Sequence, residues 1–276
     1  MFFQQVANNE DVLYSRIRNY PESYSVREQI EMLWSIYQDI APHRFLKKAQ
    51  EYGSFHQRWW EMYCGVGLKR ICHAVKTNIK DEGPDFEILY NGNKKCFIEA
   101  IAPKLGDTDD KLPPMIINGV SSLPEKEFLL RITSAISTKL KKYQEYINKE
   151  YVSKDDCLII ALSACNLSQY GSLMDFPVSA PLKVLQGYGD LYINISTGEE
   201  GIVKRNQIVK GTGAEVSANL FDLEEMKIIS AILYSNTDLL NSPDEPEKTF
   251  LLIRNPNANI FIDDNIFKDK NLISIV

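Results

Sequence analysis

The sequence predicts an α/β (α+β) fold with a mixed central sheet flanked by helices and a helical N-terminal region. Three observations support this prediction. Apolar residues recur at helical spacing through the first eighty residues. Two short apolar runs on either side of Asn91-Gly92 indicate a β-hairpin. Farther along, an amphipathic helix lies between the second of these runs and another apolar strand, which is typical of a βαβ unit.

The N-terminal region is expected to hold several helices. A capping-box pattern at residues 25–28 precedes an amphipathic run over residues 29–40. A second helix is expected over residues 43–52. Another capping-box pattern at residues 54–57 opens a longer helix that should reach about residue 74.

The central part of the chain should contain the hairpin, a long helix and a buried strand. The segment 103–124 is rich in Pro, Gly, Asp and Ser, which indicates a long loop. A loop of this length beside a candidate site more often has a function than not. A strong helix is expected from Glu125 to about Lys149, followed by a buried strand over residues 156–162. Weaker strand signals follow at residues 189–195, 215–221 and 249–254, while residues 222–235 mix strand and helix character.

Composition favours an ordinary globular protein of one compact domain. The chain has 276 residues, 44% apolar and 25% charged, and contains no apolar run near the ~20 residues that span a bilayer. The N-terminus lacks the pattern of a secretory signal. The five cysteines are scattered, which predicts reduced thiols in the core and a cytoplasmic setting. The lack of a spanning run predicts no membrane contact. The formal net charge of −6 argues against a protein that coats nucleic acid, but it allows a nuclease with a local basic track.

Two acidic residues carry the main chemical signal. Asp85 follows Pro84 at the start of the first hairpin strand, and Glu99 lies in the second strand, fourteen residues later. Pairing of the strands would bring both carboxylates together, and hard oxygen ligands are what Mg²⁺ requires. Glu99 also interrupts an apolar run, where a buried charge needs a partner or a metal. The alternative is a surface hairpin with two ordinary acids.

The Pro84-Asp85 and Glu99 pattern resembles the PD-(D/E)XK, or restriction-endonuclease-like, nuclease superfamily. Its motif is Pro-Asp followed on the next strand by an acid, any residue and a lysine; here Ile101 stands at the lysine position. The resemblance implies a restriction-endonuclease-like domain over residues 55–276, with the motif region at 55–165 and residues 1–54 packed on it. It also implies a Mg²⁺ (or Mn²⁺) site at Asp85 and Glu99, and hydrolysis of phosphodiester bonds in DNA more than in RNA.

Glu61 is a further candidate metal ligand and catalytic residue. It falls within an apolar stripe of the helix that begins near residue 55. Members of the superfamily often carry a glutamate on a helix before the hairpin, and Arg58-Trp59-Trp60-Glu61 resembles that feature. The alternative is a glutamate at the edge of the stripe, paired with Arg58 or Lys69.

Lys139 is the candidate for the missing cation. On a helical wheel it lies about 20° from Ile132, near the middle of the stripe that should face the core. A buried ammonium without a partner is expensive, so this position predicts contact with the carboxylates. The alternative is a lysine that extends to solvent along the helix. The superfamily includes members whose lysine has moved to a neighbouring helix, and the resemblance therefore implies catalysis by Lys139.

Arg131 and Lys142 lie on one flank of the same stripe and are candidates for contact with backbone phosphates; a solvated flank is the alternative.

These residues are compatible with two functions. The first is a Mg²⁺-dependent nuclease, with pairing of two copies as an option for cutting both strands. The second is a non-catalytic module on the same fold that binds nucleic acid or protein, which Ile101 and the net charge favour.

Overall fold

A seven-stranded mixed sheet forms the centre of the protein, and helices pack on both of its faces. The computed structural model describes residues 1–3, 10–78, 82–92, 94–106, 109–116, 118–120, 122–167, 169–268 and 272–275. None of the helices in these ranges is long and apolar enough to cross a membrane. All five cysteines are buried free thiols, in agreement with the sequence prediction.

The described helices are α1 Val12–Asn19, α2 Tyr24–Tyr37, α3 Phe45–Gln50, α4 Phe55–Ile71, α5 Glu125–Asn148, α6 Gly171–Met174 and α7 Ala180–Leu185. The described strands are β1 Val75–Thr77, β2 Phe86–Tyr90, β3 Lys94–Ile101, β4 Cys157–Ser163, β5 Tyr188–Ile193, β6 Glu200–Lys204, β7 Gln207–Val209, β8 Glu215–Ser217, β9 Ala231–Ser235, β10 Leu251–Arg254 and β11 Ile273–Ile275. The central sheet has the order β1-β2-β3-β4-β9-β10-β11, while β5–β6 and β7–β8 form two separate hairpins.

The predicted hairpin and βαβ unit are confirmed. Strands β2 and β3 pair antiparallel, with Phe86 opposite Ile98. Asn91 and Gly92 both have positive φ, 43° and 84°, as a tight hairpin turn requires. Asn93, the third residue of the predicted turn, lies outside the described residues. Strands β3 and β4 are parallel, and α5 connects them.

Strand β3 separates two apolar layers. Its residues Cys96, Ile98 and Ala100 belong to the cluster formed with α1–α4, while Phe97 belongs to the cluster formed with α5 and α7. Successive side chains of a strand point to opposite faces. Glu99 therefore lies on the same face as Phe97, under α5.

The middle of helix α4 is buried on every side and not only along the apolar stripe that contains Glu61. Every residue from Trp59 to Leu68 is buried. Two glycines allow this close packing, because a Cβ at Gly65 would lie 2.5 Å from the Tyr37 ring and one at Gly67 would lie 2.5 Å from the Phe250 ring.

Several predicted boundaries differ from those observed. A 3₁₀ turn at Pro21–Ser23 leads directly into α2, so Ser25 lies inside the helix and the predicted capping box does not cap it. Helix α4 ends at Ile71 because Cys72 is extended and forms a β-bridge with Phe267. The strand predicted over residues 215–221 ends at Ser217, before a 3₁₀ turn.

Candidate functional site

The hairpin brings Asp85 and Glu99 to neighbouring positions. Asp85 immediately precedes β2, and its Oδ2 accepts a hydrogen bond of 2.8 Å from the backbone N–H of Ala100. Glu99 is the residue before Ala100 on β3, and its side chain is fully buried. The Asp85 side chain keeps 19% of its surface exposed, so the pair joins a buried carboxylate to one that reaches solvent.

A single ammonium from α5 contacts both carboxylates. Lys139 Nζ donates to Glu99 Oε2 and lies 3.6 Å from Asp85 Oδ2. The side chain is 10% exposed, in keeping with its place in the core-facing stripe. The structure thus puts Lys139 where the helical wheel places it, and it brings three of the four predicted catalytic residues together.

Two further side chains of α5 bind Glu99. Lys142 Nζ lies 3.2 Å from both carboxylate oxygens, although it was predicted to meet phosphate, and its side chain is 40% exposed. The hydroxyl of Tyr146 donates to Glu99 Oε1 at 3.0 Å. Sequence reasoning missed Tyr146. Its spacing of seven residues from Lys139 is the signal that places it on the same helix face.

Burial and nearby charges shift the pKa values of Glu99 and Asp85 in opposite directions. Burial, together with the nearby Asp85, raises the pKa of Glu99 above its ordinary value despite the two lysines. Burial also acts to raise the pKa of Asp85, but Lys139, Lys142 and the Ala100 N–H outweigh it and hold that pKa below its ordinary value. Burial would lower the pKa of Lys139, and the two carboxylates reverse this and raise it. At neutral pH, Asp85 is therefore ionised and Lys139 is protonated.

Glu61 is held by other partners. It is 1% exposed and pairs with Arg58, one of the two alternatives that the sequence left open, while the Tyr37 hydroxyl donates to its Oε1 at 3.3 Å. Burial and the charge of Asp85 raise the pKa of Glu61 to about 7, against the opposing effect of Arg58. In the described ranges, no group of three or more His, Cys, Asp or Glu side chains is placed to hold a metal ion.

Asp85 and Glu99 suit Mg²⁺ binding in which water and substrate phosphate supply the other ligands, but not binding by protein ligands alone. Mg²⁺ is commonly held by one or two carboxylates, with water and substrate phosphate completing its coordination. Asp85 and Glu99 fit that mode because both already converge on one cation, Lys139 Nζ. They do not fit an ion enclosed by protein ligands alone. Any bound ion would have to share Glu99 with its lysine partners.

A cleft of about 390 Å³ lies beside these residues. Gln57 forms part of its wall: its amide nitrogen donates to the Ala100 carbonyl at 3.0 Å, and its amide oxygen accepts from the Ala102 N–H at 2.8 Å. Ala100 thus contacts Asp85 through its N–H and the cleft wall through its carbonyl. Arg131, the other residue predicted to meet phosphate, also lines the cleft.

No protein-family model, no curated protein and no solved structure matches the chain. A functional assignment therefore depends on the chemistry of the residues that the fold brings together.

Proposed function

We propose that this protein is a restriction-endonuclease-like nuclease that hydrolyses phosphodiester bonds, in DNA more than in RNA, with Mg²⁺ or Mn²⁺. The observation that carries the proposal is the position of Lys139, whose ammonium contacts Glu99 and lies 3.6 Å from Asp85. An apolar residue at this place in α5 would complete the core stripe. A lysine there gives the two carboxylates a cation that Ile101 does not provide.

The order of these residues along the fold supports the family resemblance. Pro84-Asp85 precedes β2, and Glu99 lies on the next strand, β3. Lys139 comes from the helix that packs beside β3, the arrangement of family members with a migrated lysine. Glu61 lies on α4, the helix before the hairpin, and its role as a metal ligand stays a prediction because Arg58 pairs with it.

The chain's own residues have separable tasks in this proposal. Asp85 and Glu99 would hold the metal, which would polarise the phosphate and lower the pKa of a bound water. Lys139 stays protonated and contributes positive charge where negative charge develops on the phosphate. Lys142 and Tyr146 keep Glu99 fixed by hydrogen bonds at 3.2 and 3.0 Å. Preorganised groups of this kind need little rearrangement during the reaction.

Cleavage of single-stranded and duplex DNA with Mg²⁺ or Mn²⁺ tests the proposal. Asp85→Asn should abolish cleavage while the circular dichroism spectrum is unchanged. Lys139→Met should slow cleavage by about 10²–10³-fold, the effect of losing one preorganised stabilising group. Lys141→Met is the matched control, because it removes a lysine from the exposed side of the same helix. An unchanged rate for Lys139→Met would refute the role of the cation, and no cleavage by the wild type with either metal would refute the nuclease.

A non-catalytic module that binds nucleic acid or protein is the second candidate. It is favoured by the saturation of Glu99, which already accepts hydrogen bonds from Lys139, Lys142 and Tyr146. Titration with Mn²⁺ distinguishes the two functions. Binding at millimolar Mn²⁺ that Asp85→Asn removes supports the nuclease, whereas its absence supports the module.

A further inference from the structure

The cleft beside the carboxylates is cationic although the protein is acidic. The chain has a formal net charge of −6. Arg58, Lys104 and Arg131 line the cleft, and none of the described lining residues is acidic. Arg58 pairs with Glu61, which leaves Lys104 and Arg131 as the charges that face the cleft without an ion-pair partner among the described residues. A local excess of positive charge of this kind attracts an anionic ligand.

No hydrogen bond or ion pair holds the Arg131 guanidinium within the described residues. Its Nε is buried and has no hydrogen-bond partner in the part of the chain that the structure describes. The loop after β3 passes close over the guanidinium at Gly106, where φ is +90° and a Cβ would lie 2.5 Å from Arg131 Nη1. The buried Nε cannot itself reach a ligand in the cleft, but the other guanidinium N–H groups of Arg131 also have no hydrogen-bond partner among the described residues, so they can donate to an acceptor bound in the cleft that Arg131 lines. Phosphate oxygens match the guanidinium particularly well.

The size of the cleft limits what can enter it. Sites for small ligands measure roughly 300–1,000 Å³, and the cleft, at about 390 Å³, is at the lower end of that range. This volume suits one nucleotide and is too small to enclose a base pair. Along α5 the cleft continues from Arg131 through Ser134 to Thr138, the residue before Lys139. Ile101 and Ala102, which follow shortly after Glu99 at the end of β3, also line the cleft, so a nucleotide in it would lie near the carboxylates.

We infer that the cleft is a subsite for one unpaired nucleotide, with its phosphate bound by Arg131 and Lys104. The substrate class is then single-stranded nucleic acid or a frayed end rather than an intact duplex. The inference rests on the proposed function only in its biological meaning: if the protein is a nuclease, the subsite determines which kind of strand lies beside the reacting phosphate. The binding itself needs neither metal nor cleavage.

Fluorescence anisotropy in EDTA tests the inference, with a short labelled oligothymidylate and the corresponding thymidylate–adenylate duplex. The wild type should bind the single strand more tightly than the duplex. Arg131→Gln should weaken single-strand binding by about 10- to 100-fold and reduce the slope of log K against log salt by about 0.7. Lys141→Gln is the matched control, since it removes one charge from the exposed side of the same helix. Ser134→Phe should also weaken binding, by filling the cleft from an exposed position without changing its charge.

Each outcome supports or overturns the subsite. Equal affinity for the two nucleic acids, no saturable binding, or equal effects of Arg131→Gln and Lys141→Gln would overturn it. Normal binding by Ser134→Phe would overturn it as well, because the occupied volume would then lie elsewhere. Failure of the nuclease is distinguishable: Arg131-dependent single-strand binding without cleavage refutes only the nuclease, while cleavage with a preference for duplex refutes only the subsite.

Discussion

Replacement of Lys139 by methionine tests whether its ammonium neutralises the buried Glu99. The side chain of Glu99 is 0% exposed, so the substitution would leave a buried carboxylate with fewer partners. Removing one member of a buried ion pair costs about 3–5 kcal/mol. Lys142 at 3.2 Å and Tyr146 at 3.0 Å would remain. We therefore expect a loss near the lower limit, about 3 kcal/mol of the free energy of unfolding.

Urea unfolding at neutral pH measures this loss. Lys139→Met combined with Glu99→Leu should recover most of it, because apolar replacement of a whole buried ion pair is often neutral or stabilising. The control Lys141→Met should change stability by less than about 0.5 kcal/mol. Without Lys139, the already raised pKa of Glu99 should rise further. The folded variant then binds a proton more tightly than the unfolded chain, so the loss should shrink as the pH is lowered.

Two results would refute this reasoning. One is a loss below about 1 kcal/mol for Lys139→Met, the range of an exposed pair. The other is a double variant no more stable than the single variant, because the cost would then come from packing of the lysine stem and not from the unpaired charge.

Three further changes test neighbouring parts of the molecule. Glu61→Gln removes a carboxyl group whose pKa burial raises from 4.5 to about 7. Since the folded state holds this proton more tightly, wild-type stability should fall relative to the variant as pH rises through that window, by up to about 3 kcal/mol in urea unfolding; parallel pH profiles would contradict this. Gly67→Ala should destabilise by about 1–3 kcal/mol in thermal unfolding, because a Cβ would lie 2.5 Å from the Phe250 ring, and an unchanged midpoint would show that the ring moves away freely. Gln57→Leu should speed hydrogen exchange at the Ala102 N–H, which loses its 2.8 Å bond, and continued protection would mean that another acceptor replaces the amide.

The sequence predicted the parts of the site that depend on local periodicity. The alternating runs around Asn91-Gly92 predicted the pairing that places Asp85 beside β3. The helical period of α5 predicted that Lys139 faces the sheet, and the structure has it in contact with Glu99. Both predictions use repeats of two or 3.6 residues, which are properties of the backbone.

The remaining features depend on packing between distant segments. The sequence could not decide whether Glu61 pairs with Arg58 or approaches the carboxylates, since both arrangements suit a helix of this pattern. Lys142 lies on a flank of α5 from which its long side chain could reach solvent, a phosphate or Glu99, and the sequence does not select among the three. The side-by-side placement of β4 and β9 was also beyond local patterns, because almost seventy residues separate these paired strands.

The contacts of Glu99 also define how α5 can lie on the sheet. Asp85 and Glu99 belong to the hairpin and the residue before it, whereas the three groups that bind Glu99 among the described residues come from α5. A shift of the helix by one turn in one direction would bring Ala135 or Ile136 to the position of Lys139 and leave a buried carboxylate without its ammonium. A shift in the other direction would bring Lys142 to that position, but it would also bring Glu145 to the position of Lys142, where it would face Glu99 with the same charge. A helix–sheet interface made only of apolar side chains would lose much less stability from such a shift. The charge cluster therefore selects one axial register of α5 on the sheet, and the candidate site exists only in that register.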